Sequence, residues 1–176
     1  MNKKEVNILL LKIKEGDNQA FEQLYKQTSQ GVYSFVYSYM GNYMDTEDVL
    51  QMTYMKIKNN ISQYREDTNG LAWILQIAKN TSLNELRSIK TYQKVQLDTN
   101  IPPTTSSSQS YEQQSIVEVM KKVLSEEEYQ IITLHVLWNY RHKDIAQFLN
   151  VPIGTVTSKY KRAITKVKSA WKEEIK

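Results

Sequence analysis

The sequence predicts an all-α protein built from two small helical domains joined by a flexible linker. Three observations carry that expectation. Only five glycines and three prolines occur in 176 residues, so few points of the chain are marked as breaks. Apolar residues recur at helical spacing in stretches of roughly ten to twenty residues, and no alternating run is long enough to argue for a sheet. Between residues 91 and 111 the chain reads TYQKVQLDTNIPPTTSSSQSY, where Pro102-Pro103 and a Thr/Ser cluster stand among few large apolar side chains. Such a segment neither builds a core nor continues a helix, so it is a linker between residues 1–90 and residues 112–176.

The elements follow in order. Asp17 can cap a helix that runs through Ala20, Phe21, Leu24 and Tyr25, past Val32, Phe35 and Val36, to Met40; Gly41-Asn42 breaks it. Asp45 is placed to open the second helix as its N-cap, with Thr46, Glu47 and Asp48 in a first turn where the macrodipole favours negative charge. After the turn-like EDTNG, a third helix is expected from Leu71 to Ile89. The C-terminal domain opens with a helix from Tyr111 to Val123, followed by Ser125 and Glu128 at capping-box spacing. A short helix from His142 to Leu149 and a long one within VPIGTVTSKYKRAITKVK (Val151 to Lys168) complete the chain. Ile145, Ala146 and Leu149 give the short helix an apolar face, Asn150 suits a turn with positive φ, and Val151 and Val156 close the pair. The pattern is that of a helix-turn-helix.

Composition excludes several chemistries. With no cysteine and two histidines, disulfides, thiolate nucleophiles and the common zinc arrangements drop out, so no metal site is expected. The N-terminal MNKKEVNILLLKIKEGD is too short and too charged for a signal segment, and no apolar run approaches the roughly eighteen residues of a membrane span, which predicts a cytoplasmic protein. The formal net charge of +4 is modest, but its distribution is uneven. Lys159, Lys161, Arg162, Lys166, Lys168 and Lys172 follow one another with no acidic residue between them.

Three faces carry functional residue types. At about 100° per residue, Val156, Tyr160, Ala163 and Val167 fall in one sector of the last helix. Ser158, Lys161, Arg162 and Thr165 lie opposite, Thr157 and Lys159 on the flanks, and Thr155 near the N-terminal end. Hydroxyls and long cations at that end suit phosphates and base edges in a major groove, although exposed polar residues on a solvated helix would look the same. In the helix after Asp45, Leu50, Tyr54, Ile57 and Ile61 supply a core. Met52 and Met55 stand on the other side with Asp48 and Gln51, either as an adaptable partner surface or as a second packed face. In the third helix Trp73, Asn80, Asn84 and Arg87 share a face with Ile77. They could stack on and bond to single-stranded bases, while Trp73 with Ile77 one turn on equally suits a core.

DTEDVLQMTYMKIKNNISQYR, LAWILQIAKNTSLNELR and LSEEEYQIITLHVLWNYRHKDIAQFLNVPIGTVTSKYKRAITKVK, in this order and spacing, resemble the extracytoplasmic-function group of bacterial sigma-70-type transcription initiation factors. The resemblance runs from Asp17 to about Lys168. It implies a region 2-like bundle and a region 4-like helix-turn-helix, with core RNA polymerase and promoter DNA as partners and no catalytic residue, cofactor or small-molecule substrate. Asp45 to Ile61 would dock on the beta-prime clamp helices through Asp48, Gln51, Met52 and Met55, and the beta subunit would also be contacted. Trp73, Asn80, Asn84 and Arg87 would melt and read the minus-10 element, with the 65–70 loop where the family captures a flipped base. Thr155, Thr157, Ser158, Lys159, Lys161 and Arg162 would read the minus-35 element. The linker would thread toward the RNA exit path, and an anti-sigma factor, membrane-anchored in many members, is implied as a further partner.

Two positions depart from the family pattern: Thr157 replaces a basic residue after Gly154-Thr155-Val156, and Met52 stands where glutamate is common. Two other functions fit parts of the sequence. One is a helix-turn-helix regulator acting independently of core polymerase, with an N-terminal domain for dimerisation or sensing; the other is an interaction protein that binds polymerase or an anti-sigma factor without directing transcription. Neither needs Asp48 and Gln51 beside methionines, or Trp73, Asn80, Asn84 and Arg87 on one helix face.

Overall fold

A computed structural model describes residues 3–66, 68–99 and 116–174. Among them there is no strand. The helices are α1 (Lys3–Lys14), α2 (Asn18–Met40), α3 (Tyr43–Asn59), α4 (Gly70–Thr99), α5 (Ile116–Val123), α6 (Glu126–Val136), α7 (His142–Leu149) and α8 (Ile153–Glu174), with a single 3-10 turn at Ile61–Gln63. The expected start of a helix at Tyr111, most of the Pro/Ser/Thr segment, and Asp67 in the 65–70 loop lie outside the described residues.

Local chemistry sets most of the boundaries. The Asp17 carboxylate accepts hydrogen bonds from the Gln19 and Ala20 N–H groups at 2.8 and 3.0 Å, and the 23-residue α2 ends at Met40, capped by Gly41, whose φ of 75° is left-handed. The cap of α3 is Asn42 rather than Asp45. The Asn42 Oδ1 accepts from the Asp45 N–H at 2.9 Å, which draws Asp45 into the first turn and starts the helix at Tyr43. α1 was not anticipated as an element. Val6, Leu9, Leu10 and Ile13, at i, i+3, i+4 and i+7, bury one face of it. It is tied to the start of α4, where the Gly70 N–H donates to Asn7 Oδ1 at 2.9 Å and a Cβ on Gly70 would lie 2.6 Å from Leu10. α4 continues through Thr99, ten residues past the expected end at Ile89, so the segment read as linker begins inside a helix.

Most buried apolar residues of α1 to α4 share one core with Ile131, Leu134, Trp138, Ile145, Ala146 and Val156 of the second half, and a second cluster joins Tyr37 of α2 to Met120, Leu124, Tyr129, Ile132 and Ala163. The seam between the two halves runs along α2. Trp138, fully buried, donates its indole N–H to the Gly31 carbonyl at 3.2 Å; Ser34 meets the Thr133 and Tyr129 hydroxyls at 3.3 and 3.4 Å. The Phe35 ring meets Phe148 edge-on at 6.0 Å, and Lys121 donates to the Ser38 carbonyl at 3.2 Å. Polar groups satisfied within an otherwise apolar contact fix its register.

Candidate nucleic-acid interface

The helix-turn-helix forms as the residues demand. Ile145 and Ala146 are buried, Asn150 adopts φ 58° and ψ 49°, and the Val151 N–H closes the turn on the Ala146 carbonyl at 3.0 Å. α8 buries Val156 and Ala163 completely, and Tyr160, Ile164 and Val167 pack beside them. Ser158, Lys161 and Arg162 are exposed on the opposite side and Thr155 is half-exposed near the helix start. These four lie together as expected. Lys159 does not join them freely, because its ammonium is ion-paired with Glu127 of α6. Lys166 pairs with Glu128 at 2.7 Å. Burial pushes the Glu128 carboxyl up, but the bonds from Lys166 and Ser125 outweigh it and hold the group below the usual carboxylate range.

Thr157 is half-buried and its hydroxyl is engaged twice. It lies 3.0 Å from the Ile153 carbonyl and 3.2 Å from His142 Nδ1. His142 is the first residue of α7, and its ring packs with His135 and Tyr160 at centroid distances of 5.1 and 5.0 Å. Burial and the neighbouring His135 lower its pKa, so the ring is neutral near pH 7.

On α4, Leu71, Ile74, Leu75 and Ala78 are buried, and Asn80, Asn84 and Arg87 are exposed. Arg87 donates to Asn84 Oδ1 at 3.2 Å and Gln76 donates to Asn80 Oδ1 at 2.9 Å, so Gln76 extends the polar row. Trp73 is half-buried: it packs against the core, and its ring centroid lies 5.4 Å from that of Tyr64.

On α3, Asp48 and Gln51 are exposed and Met55 is 64% exposed. Met52 departs from the expected exposed face, since it is half-buried and packs against the core. Met44, 62% exposed, takes its place. Met44, Asp48, Gln51 and Met55 follow the spacing i, i+4, i+7, i+11 and so form one stripe. With Asp45 as the N-cap, Met44 would stand outside the helix; with Asn42 as the cap, the same spacing rule places it on the stripe.

Residues 24–91 match the family model described as Sigma-70 region 2, and residues 115–167 match Sigma-70, region 4, so α2 to α4 and α5 to α8 each fall largely within one match. Similar proteins include the ECF RNA polymerase sigma factor SigW of Bacillus subtilis, 22% identical over 85% of this chain and 88% of its own, and the ECF RNA polymerase sigma-E factor of Escherichia coli, 26% identical over 89% and 88%. The chain belongs to the extracytoplasmic-function group of sigma-70-type sigma factors. It is a transcription initiation factor that works with RNA polymerase at promoters. The sigma fold also appears in two solved structures. One is RpoE in complex with the anti-sigma factor NepR from Bartonella quintana, with TM-score 0.63, 22% identity and coverage of 86% of this chain and 96% of that one. The other is CnrH in complex with the cytosolic domain of CnrY, with TM-score 0.63, 18% identity and coverage of 96% and 98%. Among the described residues of this sigma factor, no helix is long and apolar enough to cross a membrane.

Proposed function

We propose that this sigma factor divides its work among three faces. The α3 stripe Met44, Asp48, Gln51 and Met55 docks on the beta-prime clamp helices, with Met52 supporting it from the core side and the beta subunit contacted elsewhere. The α4 row Trp73, Asn80, Asn84 and Arg87 holds and reads the opened minus-10 strand. On α8, Thr155, Thr157, Ser158, Lys161 and Arg162 read the minus-35 element, and Lys159 joins them only when Glu127 releases it. The factor contributes positioning and strand opening while the polymerase performs the chemistry; it acts in the cytoplasm and is held in check by an anti-sigma protein.

The observation that carries this assignment is the coexistence of an exposed acidic-amide-methionine stripe on α3 with an exposed Asn/Arg row on α4. An operator-binding regulator needs neither. Asp48→Ala should weaken binding to core polymerase in a native-gel competition, leaving the helical circular dichroism unchanged because Asp48 is exposed. Equal affinity of the variant and the parent for core would remove the α3 assignment.

The packed seam along α2 supports a second element of the proposal. A compact chain of this length has a radius of gyration of about 16 Å. Promoter elements centred near minus 35 and minus 10 are separated by about 25 base pairs, or about 85 Å of duplex at about 3.4 Å per base pair. The closed molecule cannot span both, so the α2/α6 seam opens when the factor engages a promoter.

A further inference from the structure

Thr157 stands on the flank of α8, beside the exposed row, where a threonine could use either its hydroxyl or its methyl group. The hydroxyl is already committed. Its single proton is directed to the Ile153 carbonyl at 3.0 Å, one turn back on the same helix, so toward His142 Nδ1 at 3.2 Å it acts as the acceptor. That makes His142 the Nδ1–H tautomer. The rest of the ring agrees: Nε2 is buried without a partner, and a bare lone pair there costs less than a buried, unpaired N–H. His135 is fixed in the same sense, because its Nδ1, 2.9 Å from the Tyr140 carbonyl, can only donate to it. With His135 and Tyr160 packed against the His142 ring, the imidazole holds its place, and through it so does the Thr157 rotamer.

We infer that Thr157 is a specificity-determining residue that presents its methyl group, not its hydroxyl, to the DNA, and that it selects a thymine at one position of the minus-35 element by contact with the base's 5-methyl group. His142 is the positioning residue that holds it so. Methyl-to-methyl contact is the apolar way in which a major groove distinguishes thymine from the other bases. This inference rests on α8 being the minus-35 reader, and it goes beyond that assignment by naming the base and the chemistry of its recognition.

The test uses holoenzyme reconstituted from core and full-length protein, with promoter duplexes selected by that holoenzyme. Each minus-35 thymine, on either strand, is replaced singly by deoxyuridine, which removes only the 5-methyl group. One position should lose about three- to fivefold in affinity, the scale of one buried methyl. Thr157→Ser, which keeps the hydroxyl and deletes the methyl, should bind thymine and deoxyuridine equally at that position. His142→Ala should shrink the discrimination. His142→Asn, whose amide can still donate near the place of Nδ1, should restore it, an outcome that a merely structural loss would not give; thermal melts confirm that each variant folds. The inference is overturned if no thymine responds, or if Thr157→Ser keeps the full deoxyuridine effect. Lys161→Ala/Arg162→Ala separates this failure from the broader one. If that double variant binds promoters with and without the minus-35 element as the parent does, α8 is not the reader, whereas loss of minus-35 dependence with no deoxyuridine effect overturns the thymine contact alone.

Discussion

Locking the seam along α2 should switch promoter use off without disturbing the fold. The chain contains no cysteine, so a single engineered pair forms an unambiguous crosslink. Ser34 and Thr133 suit it: both are buried, their hydroxyl oxygens are 3.3 Å apart, and they are 99 residues apart in sequence. The touching hydroxyls make this pair the choice for a disulfide across the seam, whose formation is verified by mass before use. Closing a loop of about 100 residues stabilises the closed state by about 4–5 kcal/mol in the chain-entropy picture. At about 2–4 °C per kcal/mol for a chain of this size, the melting temperature of oxidised Ser34→Cys/Thr133→Cys should rise by about 10–20 °C over its reduced form. In reconstituted transcription the oxidised protein should give little promoter-specific product, and added reductant should restore it in the same tube. Full transcription by protein whose crosslink is verified by mass would show that the two halves need not separate.

Two other substitutions probe single contacts. Lys166→Ala removes the charge-assisted bond to the buried Glu128 carboxylate and, discounted for the exposed lysine end, should cost about 1–2 kcal/mol in urea unfolding at pH 7. Because the Glu128 pKa is lowered by folding, its contribution is present above the ordinary carboxylate pKa and is lost as pH falls through the folded value. The gap between parent and variant should therefore close in acid, and a pH-independent gap would mean that packing, not charge, is involved. Gly154 has no atom within 4 Å of a built Cβ, so Gly154→Ala should raise stability by up to about 0.5–1 kcal/mol through helix propensity. If the glycine serves close approach of the α8 backbone to DNA, the same variant should lose minus-35 affinity; unchanged affinity would remove that role.

Much of this architecture is legible in local sequence because its causes are local. The Asp17 cap, the Gly41 stop, the Ser125/Glu128 box and the Asn150 turn each depend on residues within one turn of helix, and each forms as expected. The stripe Val156, Tyr160, Ala163 and Val167 likewise follows from period alone. The failures divide into two kinds. Asn42 and Asp45 are both good caps, and only the competition between them fixed the start of α3 and hid Met44. α4 outran its expected end because TYQKVQLDT contains no breaker before Pro102, whatever its composition suggests. Tertiary contacts are the second kind. No helical wheel of α8 reveals that Lys159 faces Glu127 or that His142 holds Thr157, since those partners lie 32 and 15 residues away. Met52 turned inward for the same reason, with α3 packed between α2 and α4.

The most direct measurement is start-site mapping of transcripts made by core polymerase, with and without the purified protein, on a promoter library. A sigma factor should yield discrete start sites that appear only when both are present and that vanish when Asn80, Asn84 and Arg87 are replaced together. No start-site-specific transcript on any template, alongside tight binding of a duplex by the protein alone, would instead describe a regulator that works without core.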